Sequence, residues 1–226
     1  MLLDINASFV SGHLNIVTGP TGSGKTSLLM ALLGEMALVS GDVHGPTGPV
    51  AYCAQEAWLM NDTVKNNIVF TSPWNDWRYQ QVVHACGLGT DLAILKAGDS
   101  TVVGEKGITL SGGQKQRVAL ARAVYSDSKH VFLDDCLSAV DSHTARWIFE
   151  NCITGSLMSN RTCILATHNL TLTLPHAAYL VVLSNGQVTT TSTPKDLEGS
   201  PAITALLSSQ VGRSEEANNA DQQSER

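Results

Sequence analysis

The 226-residue chain has no basic excess, no paired-cysteine framework and no long hydrophobic run, and each absence removes a class of function. Fourteen Lys and Arg stand against 20 Asp and Glu, a net charge of −6, so nothing in the overall charge attracts nucleic acid or an anionic membrane. The five cysteines (Cys53, Cys86, Cys136, Cys152 and Cys163) are odd in number and include no C-x-x-C pair. They read as reduced, partly buried thiols rather than a disulfide or zinc framework. No apolar stretch approaches the roughly 18–20 residues that cross a bilayer. The start, Met1-Leu2-Leu3-Asp4, lacks the basic opening of a signal peptide, so any membrane location is expected to come from another segment or subunit. With 43% hydrophobic residues, the chain can still bury one substantial α/β core.

Three strings carry the chemistry. The first, GPTGSGKT from Gly19, matches G-x-x-x-x-G-K-[ST] and comprises Gly19, Pro20, Thr21, Gly22, Ser23, Gly24, Lys25 and Thr26, followed by Ser27. Residues 13–18 (HLNIVT) read as a short buried strand entering it, and residues 26–33 (TSLLMALL) as a helix leaving it. Strand, glycine loop and helix in this order aim backbone N–H groups and a helix N-terminus at one point, where a polyphosphate can be held. Lys25 supplies a mobile point charge for its β- and γ-phosphates, and the Thr26 hydroxyl is placed to ligate Mg²⁺. An ordinary Gly-rich turn with a solvated lysine is the bland alternative.

The second string, VFLDD from Val131, is an apolar run ending in Asp134 and Asp135, as in a buried parallel strand whose C-terminal end faces a ligand crevice. Asp134 becomes a carboxylate for the same Mg²⁺; taken alone, the acid pair reads equally as a turn or helix cap. The third string runs from Leu110 to Arg117 (LSGGQKQR) and continues into a helix-favouring stretch. Ser111 has the chemistry of an N-cap, and Gly112 and Gly113 allow close backbone approach to an anion. From this string alone, a capped helix start without a ligand remains open.

LSGGQ resembles the signature motif of ATP-binding cassette (ABC) ATPases. LLMALLGEM from Leu28, EAWLMNDTVKNNIVF from Glu56 and DDCLSAVDSHTA from Asp134 resemble the first nucleotide-binding domain of fungal multidrug-resistance-associated (subfamily C) transporters, with the likeness running from Leu3 to about Leu207. The resemblance implies an α/β fold: a P-loop NTPase (RecA-like) core with a mainly parallel sheet, an antiparallel β-hairpin and an inserted helical signature subdomain at about 75–125. It implies ATP and Mg²⁺ as ligands, with Ser111, Gly112, Gly113 and Gln114 gripping the phosphates of a neighbouring cassette. Gln55 looks like the glutamine that joins the metal and catalytic set and couples to a transmembrane partner. Residues 138–141 (SAVD) look like the loop following the Mg²⁺ carboxylate, and His168 like the switch histidine. Individually, Gln55 reads as a surface amide, Asp141 as a helix cap and His168 as a strand-end histidine.

Two departures carry mechanistic content. Where the wider family has glutamate to polarise the attacking water, this chain has Asp135, shorter by one C–C bond of ~1.5 Å. General-base work needs a reach of about 2.6–3.2 Å, so this chain's own site is expected to bind Mg-ATP well and hydrolyse it slowly. Only eighteen residues precede Gly19, and Phe9 lies too near the loop to stack on adenine. The first strand and its aromatic platform are therefore expected to be missing, which weakens nucleotide binding by ~1–3 kcal/mol.

The domain is expected to span 1–211 and residues 212–226 to form a disordered polar tail. A hairpin over 178–190 turns at Asn185-Gly186, a helix over 142–152 follows Asp141, and another helix covers 194–207. In the helical insert, Gln80, His84 and Gly87 alternate with Val83, Cys86 and Leu88 in a loosely amphipathic pattern, and Trp74 and Trp77 at its start read as internal packing, with contact to a coupling helix as the alternative. The implied protein is the ATPase of a membrane exporter at the cytoplasmic face, partnered by a second nucleotide-binding domain and by transmembrane domains. A regulatory module gating a channel or receptor is the alternative. A nucleic-acid role is disfavoured, because only about 55 residues separate Gln55 from Ser111, too few for a chromosome-type coiled coil.

Overall fold

The computed structural model describes residues 1–104 and 109–193; the helix expected over 194–207 and the tail at 212–226 lie outside them. A six-stranded sheet has the order β2-β3-β4-β1-β5-β6, built from β1 (Leu14–Thr18), β2 (Val50–Cys53), β3 (His130–Asp134), β4 (Thr162–Ala166), β5 (Tyr179–Ser184) and β6 (Gln187–Ser192). Strands β1 to β5 are parallel and β6 returns antiparallel to β5. The mainly parallel P-loop NTPase sheet and its hairpin are thus as expected. Asn185 and Gly186 both adopt positive φ (49° and 78°), the conformation a two-residue turn between right-twisted strands requires.

Successive residues of the central strands face opposite layers. Ile16, Val131, Leu133, Cys163, Leu165, Leu180 and Val182 enter one hydrophobic cluster, while Val17, Phe132, Ile164, Ala166, Val181 and Leu183 enter the other. These runs are apolar throughout because both sheet faces are covered. Helix α1 (Lys25–Leu32) covers the second face with Leu28 and Leu29, joined by Ile5, Ala7 and Phe9 of the N-terminal segment. Phe9 is thereby half-buried against this cluster.

Between β2 and β3 lie α2 (Val64–Val69), α3 (Asp76–Ala85), α4 (Gly89–Ile94) and α5 (Gly112–Tyr125). Thr63 and Asn75 cap α2 and α3 by accepting N–H bonds from Asn66 at 3.0 Å and Arg78 at 2.9 Å. Two arginines finish α5. Arg78 Nη2 and Arg161 Nη1 both donate to the Val124 carbonyl, at 3.1 and 3.0 Å, and Arg78 Nε donates to Tyr125 O at 2.7 Å. They satisfy terminal carbonyls and oppose the helix's negative end. Burial, and then the neighbouring Arg78, draws the Arg161 guanidinium down to about 10.

Two expectations need correction. The helix after Asp141 is α-helical only as α6 (Ser142–Ile148), after which residues Phe149–Ile153 form a π-helical turn closed by Thr154 N–H donating to Phe149 O at 2.9 Å. Phe149, Cys152 and Ile153 of this turn are all buried. Trp77 stands at the surface of the insert, 68% exposed, rather than packed within it; Trp74, 47% exposed, does pack, its ring tilted against that of buried Tyr79 with centroids 5.0 Å apart and Lys65 Nζ 3.8 Å from its centre. All five cysteines are buried, free thiols. Burial raises Cys53 and Cys163 to about 12, so neither is a nucleophile.

Candidate nucleotide-binding site

Parallel β1, β3 and β4 deliver their C-terminal ends to one edge of the sheet, and the loops after them meet there. A cavity of about 190 Å³ is lined by Thr21, Gly22, Gly24, Lys25, Thr26 and Ser27 from the glycine loop and start of α1. Gln55 after β2, Asp134 and Asp135 at the end of β3, and His168 after β4 complete it. Four separate stretches of sequence thus contribute the set that includes every candidate catalytic and metal-ligating residue. Such a volume suits a phosphate chain rather than a whole nucleotide.

The loop is tight where β1 ends. Gly19 has φ 147°, and a Cβ there would lie 2.1 Å from Leu183 O and 2.8 Å from Ser23 Oγ, so only glycine fits. Lys25 is buried and its ammonium donates to the carbonyls of Gly19 (3.0 Å) and Pro20 (3.1 Å). Burial lowers its pKa, with Asp135 and Asp134 opposing. Asp134 is raised, chiefly by burial, although hydroxyl bonds from Thr26 and Tyr52 favour its charge. The Tyr52 bond to Oδ2 is 3.3 Å.

These residues fit a magnesium triphosphate. Ser23 Oγ is buried in the loop without a hydrogen-bond partner among the described residues, and the Lys25 ammonium is held by two backbone carbonyls. A carboxylate, a threonine hydroxyl and a glutamine amide are hard oxygen donors of the kind Mg²⁺ takes, with phosphate completing its shell. Among the described residues there is no cluster of three or more His, Cys, Asp or Glu that would hold a metal without such help.

Asp135 has positive φ (47°), uncommon for a non-glycine residue. Its backbone is tied on both sides: its N–H donates to Ala166 O at 2.9 Å, and its carbonyl accepts from Ser138 N (3.2 Å) and Ser138 Oγ (2.8 Å). Ser138 begins the SAVD loop, and Asp141 at its end caps α6 by accepting the Thr144 N–H at 2.9 Å.

The signature residues stand apart from this cavity, none of Ser111, Gly112, Gly113 and Gln114 lining it. Ser111 and Gly112 are exposed. Ser111 caps α5 in a reciprocal capping box: its Oγ accepts the Gln114 N–H at 3.2 Å, and Gln114 Oε1 accepts the Ser111 N–H at 2.9 Å. A Cβ at Gly113 would lie 2.9 Å from Ala139 O, so the signature turn packs directly on the SAVD loop.

Sequence reasoning missed three residues. Buried Gln116 donates to Ala54 O at 3.0 Å and so ties α5 to the residue before Gln55. Its polar side chain on the face shared with Leu120 and Ala123 was a readable signal. Tyr52 and Asp91 gave none: Tyr52 meets Asp134 from 82 residues away, and Asp91 meets Gln114 from 23.

The sheet, the glycine loop and the residues around it define a P-loop NTPase. A model of the family described as ABC transporter matches residues 2–138. The ATP-dependent bile acid permease of Saccharomyces cerevisiae is 61% identical over 87% of this chain and 13% of its own length. ABC transporter 7 of Pyricularia oryzae is 58% identical over 83% of this chain and 12% of its own. The pleiotropic ABC efflux transporter of multiple drugs of Candida glabrata is 54% identical over 87% and 13%. The chain belongs to the ABC transporter family, as an ATP-binding domain. It spans about 13% of the length of these curated relatives. Among the described residues, no helix is long and apolar enough to cross a membrane.

Proposed function

We propose that this chain is the ATP-binding cassette of a subfamily C membrane exporter. It sits at the cytoplasmic face and pairs head to tail with a second nucleotide-binding domain, carried by the same polypeptide, so that each signature closes the other's glycine loop over ATP. Closure on ATP and opening after hydrolysis move transmembrane domains through their coupling helices, a two-state change biased by the γ-phosphate. The observation that carries this is the division of labour on one chain: Lys25, Thr26, Gln55, Asp134, Asp135 and His168 share a cavity while Ser111 and Gly112 face outward elsewhere. Half of the phosphate-binding chemistry is therefore aimed away from the chain's own site.

Within that site Lys25 exchanges the Gly19 and Pro20 carbonyls for β- and γ-phosphate oxygens, and the Ser23 hydroxyl gains its missing partner. Thr26, Asp134 and Gln55 would hold Mg²⁺. When bound, the ion neutralises charge developing on the phosphates. Asp135 accepts a proton from the attacking water and His168 orients the γ-phosphate side. Asp135 is held too far back for fast work, so this site binds more than it turns over. A regulatory module, in which occupancy alone gates a channel or receptor, is the second reading, and Asp135 is what favours it; ATP-driven transport by the reconstituted parent separates the two. Lys25→Ala in that assembly should reduce photoaffinity labelling of this domain by ATP at least about tenfold, from the lost phosphate contacts; undiminished labelling contradicts the assignment.

A further inference from the structure

The cap of α5 makes one contact that a capping box does not need. With Gln114 Oε1 committed to the Ser111 N–H, the Gln114 amide nitrogen faces away from the box, and Asp91 Oδ1 accepts from it at 3.0 Å. The other carboxylate oxygen, Oδ2, accepts from Arg117 Nε at 3.1 Å and Nη2 at 2.6 Å. The Arg117 and Asp91 side chains are only 13% and 16% exposed, so the contact is largely shielded from solvent. Arg117 in turn lies beneath the signature turn, its Nη1 3.6 Å from where a Gly113 Cβ would sit.

The polarity of this chain of bonds is fixed at its far end. A carboxylate can only accept, so it draws the Gln114 NH₂ to itself and leaves the Gln114 carbonyl oxygen toward Ser111 N–H. A donor at position 91 would favour the reversed amide and set an NH₂ against that N–H. Helix α4, distant in sequence from the signature, thereby decides how the Ser111 backbone is presented.

We propose that Asp91 is a positioning residue for the signature, orienting Gln114 and through it Ser111 for a neighbouring cassette's triphosphate. The inference rests on the head-to-tail reading above. It differs from a plain staple between α4 and α5 in its consequence: Asp91 acts on the partner's site and leaves this chain's own glycine loop untouched.

The test uses the assembled parent transporter, with MgATP turnover, photoaffinity labelling of this domain by ATP, and thermal melting measured together. Asp91→Asn keeps the shape and removes the charge and the one-way polarity. Its kcat should fall by about tenfold, as expected of a slightly misdirected phosphate-binding group, with KM, labelling of this domain and melting temperature unchanged. Asp91→Glu, which restores an acceptor-only carboxylate, should recover most of the loss. Wild-type turnover in Asp91→Asn overturns the inference, provided Ser111→Arg abolishes turnover in the same assay. A joint fall of kcat, labelling and melting temperature also overturns it, making Asp91 a structural staple. Full turnover in Ser111→Arg would instead sink the head-to-tail reading itself, and this inference with it.

Discussion

Asp135 is held by its backbone, and that decides what its short side chain can do. The bonds to Ala166 and Ser138 hold the main chain that would have to shift to advance the carboxylate by the missing methylene. A misplacement near ~1 Å can cost about a hundredfold in rate. Asp135→Glu, assayed with an intact second domain, should raise hydrolysis at this chain's own site by about ten- to a hundredfold. An unchanged rate of nucleotide trapping in this domain would show that the methylene is not the limit. Asp134 gives a pH signature. Burial raises its pKa, so as pH falls it protonates before an ordinary aspartate does. Metal binding needs the carboxylate, so Mg²⁺-dependent ATP affinity should begin to fall above the usual carboxylate range, while Mg²⁺-free binding lacks that step. The same sign applies to stability: the nucleotide-free fold gains stability as pH falls through the raised value, because the ionised form is the one the fold disfavours. Asp134→Asn should therefore raise the nucleotide-free melting temperature and abolish the Mg²⁺ dependence; a lowered melting temperature contradicts the stated cause. At this scale the sequence was legible where motif order fixes position, as for Lys25, Thr26, Gln55, Asp134 and His168, which line one cavity. It was silent on Tyr52 and Asp91, whose roles arise only when distant segments fold together.

Helix α5 is the element on which the parts meet. Its N-terminus carries the signature, Gln116 one turn on holds the Ala54 carbonyl beside Gln55, and Gly113 rests on the loop leading from Asp135. Its C-terminus depends on Arg78 and Arg161. Arg161 also donates from Nε to Ser128 O at 2.8 Å and from Nη2 to Ala123 O at 3.4 Å, so Arg161→Ala removes bonds to three carbonyls at once and leaves Val124 O to Arg78. The expected loss is about 2–4 kcal/mol, or roughly 4–16 °C in melting temperature for a chain of this size. A shift within a degree would mean that Arg78 alone suffices. Elements were legible where local signals rule: the strands around the glycine loop, the Asn185-Gly186 turn and the caps at Ser111 and Asp141 lie where expected. The π-helical turn at Phe149–Ile153 was not, since Phe149, Cys152 and Ile153, at i, i+3 and i+4, would share a face in an ordinary α-helix as well and so leave no mark of the wider turn in the pattern. The exposed Trp77 was misjudged because apolar character alone does not say which residues a small insert leaves on its surface.

For the whole molecule, the proposal is that the nucleotide is shared. The cavity at the ends of β1, β3 and β4 contains the glycine loop, the acids and His168, while the capped Ser111 turn faces elsewhere on the surface. A single cassette so arranged grips a triphosphate from one side only. The most direct measurement maps peptides labelled by an ATP with a photoreactive γ-phosphate bound to the assembled transporter. The account predicts label on the peptide containing Ser111, persisting when Lys25→Ala has emptied this chain's own glycine loop. Label on that peptide that vanishes with Lys25→Ala, or no label there under conditions that label the glycine loops, would contradict it.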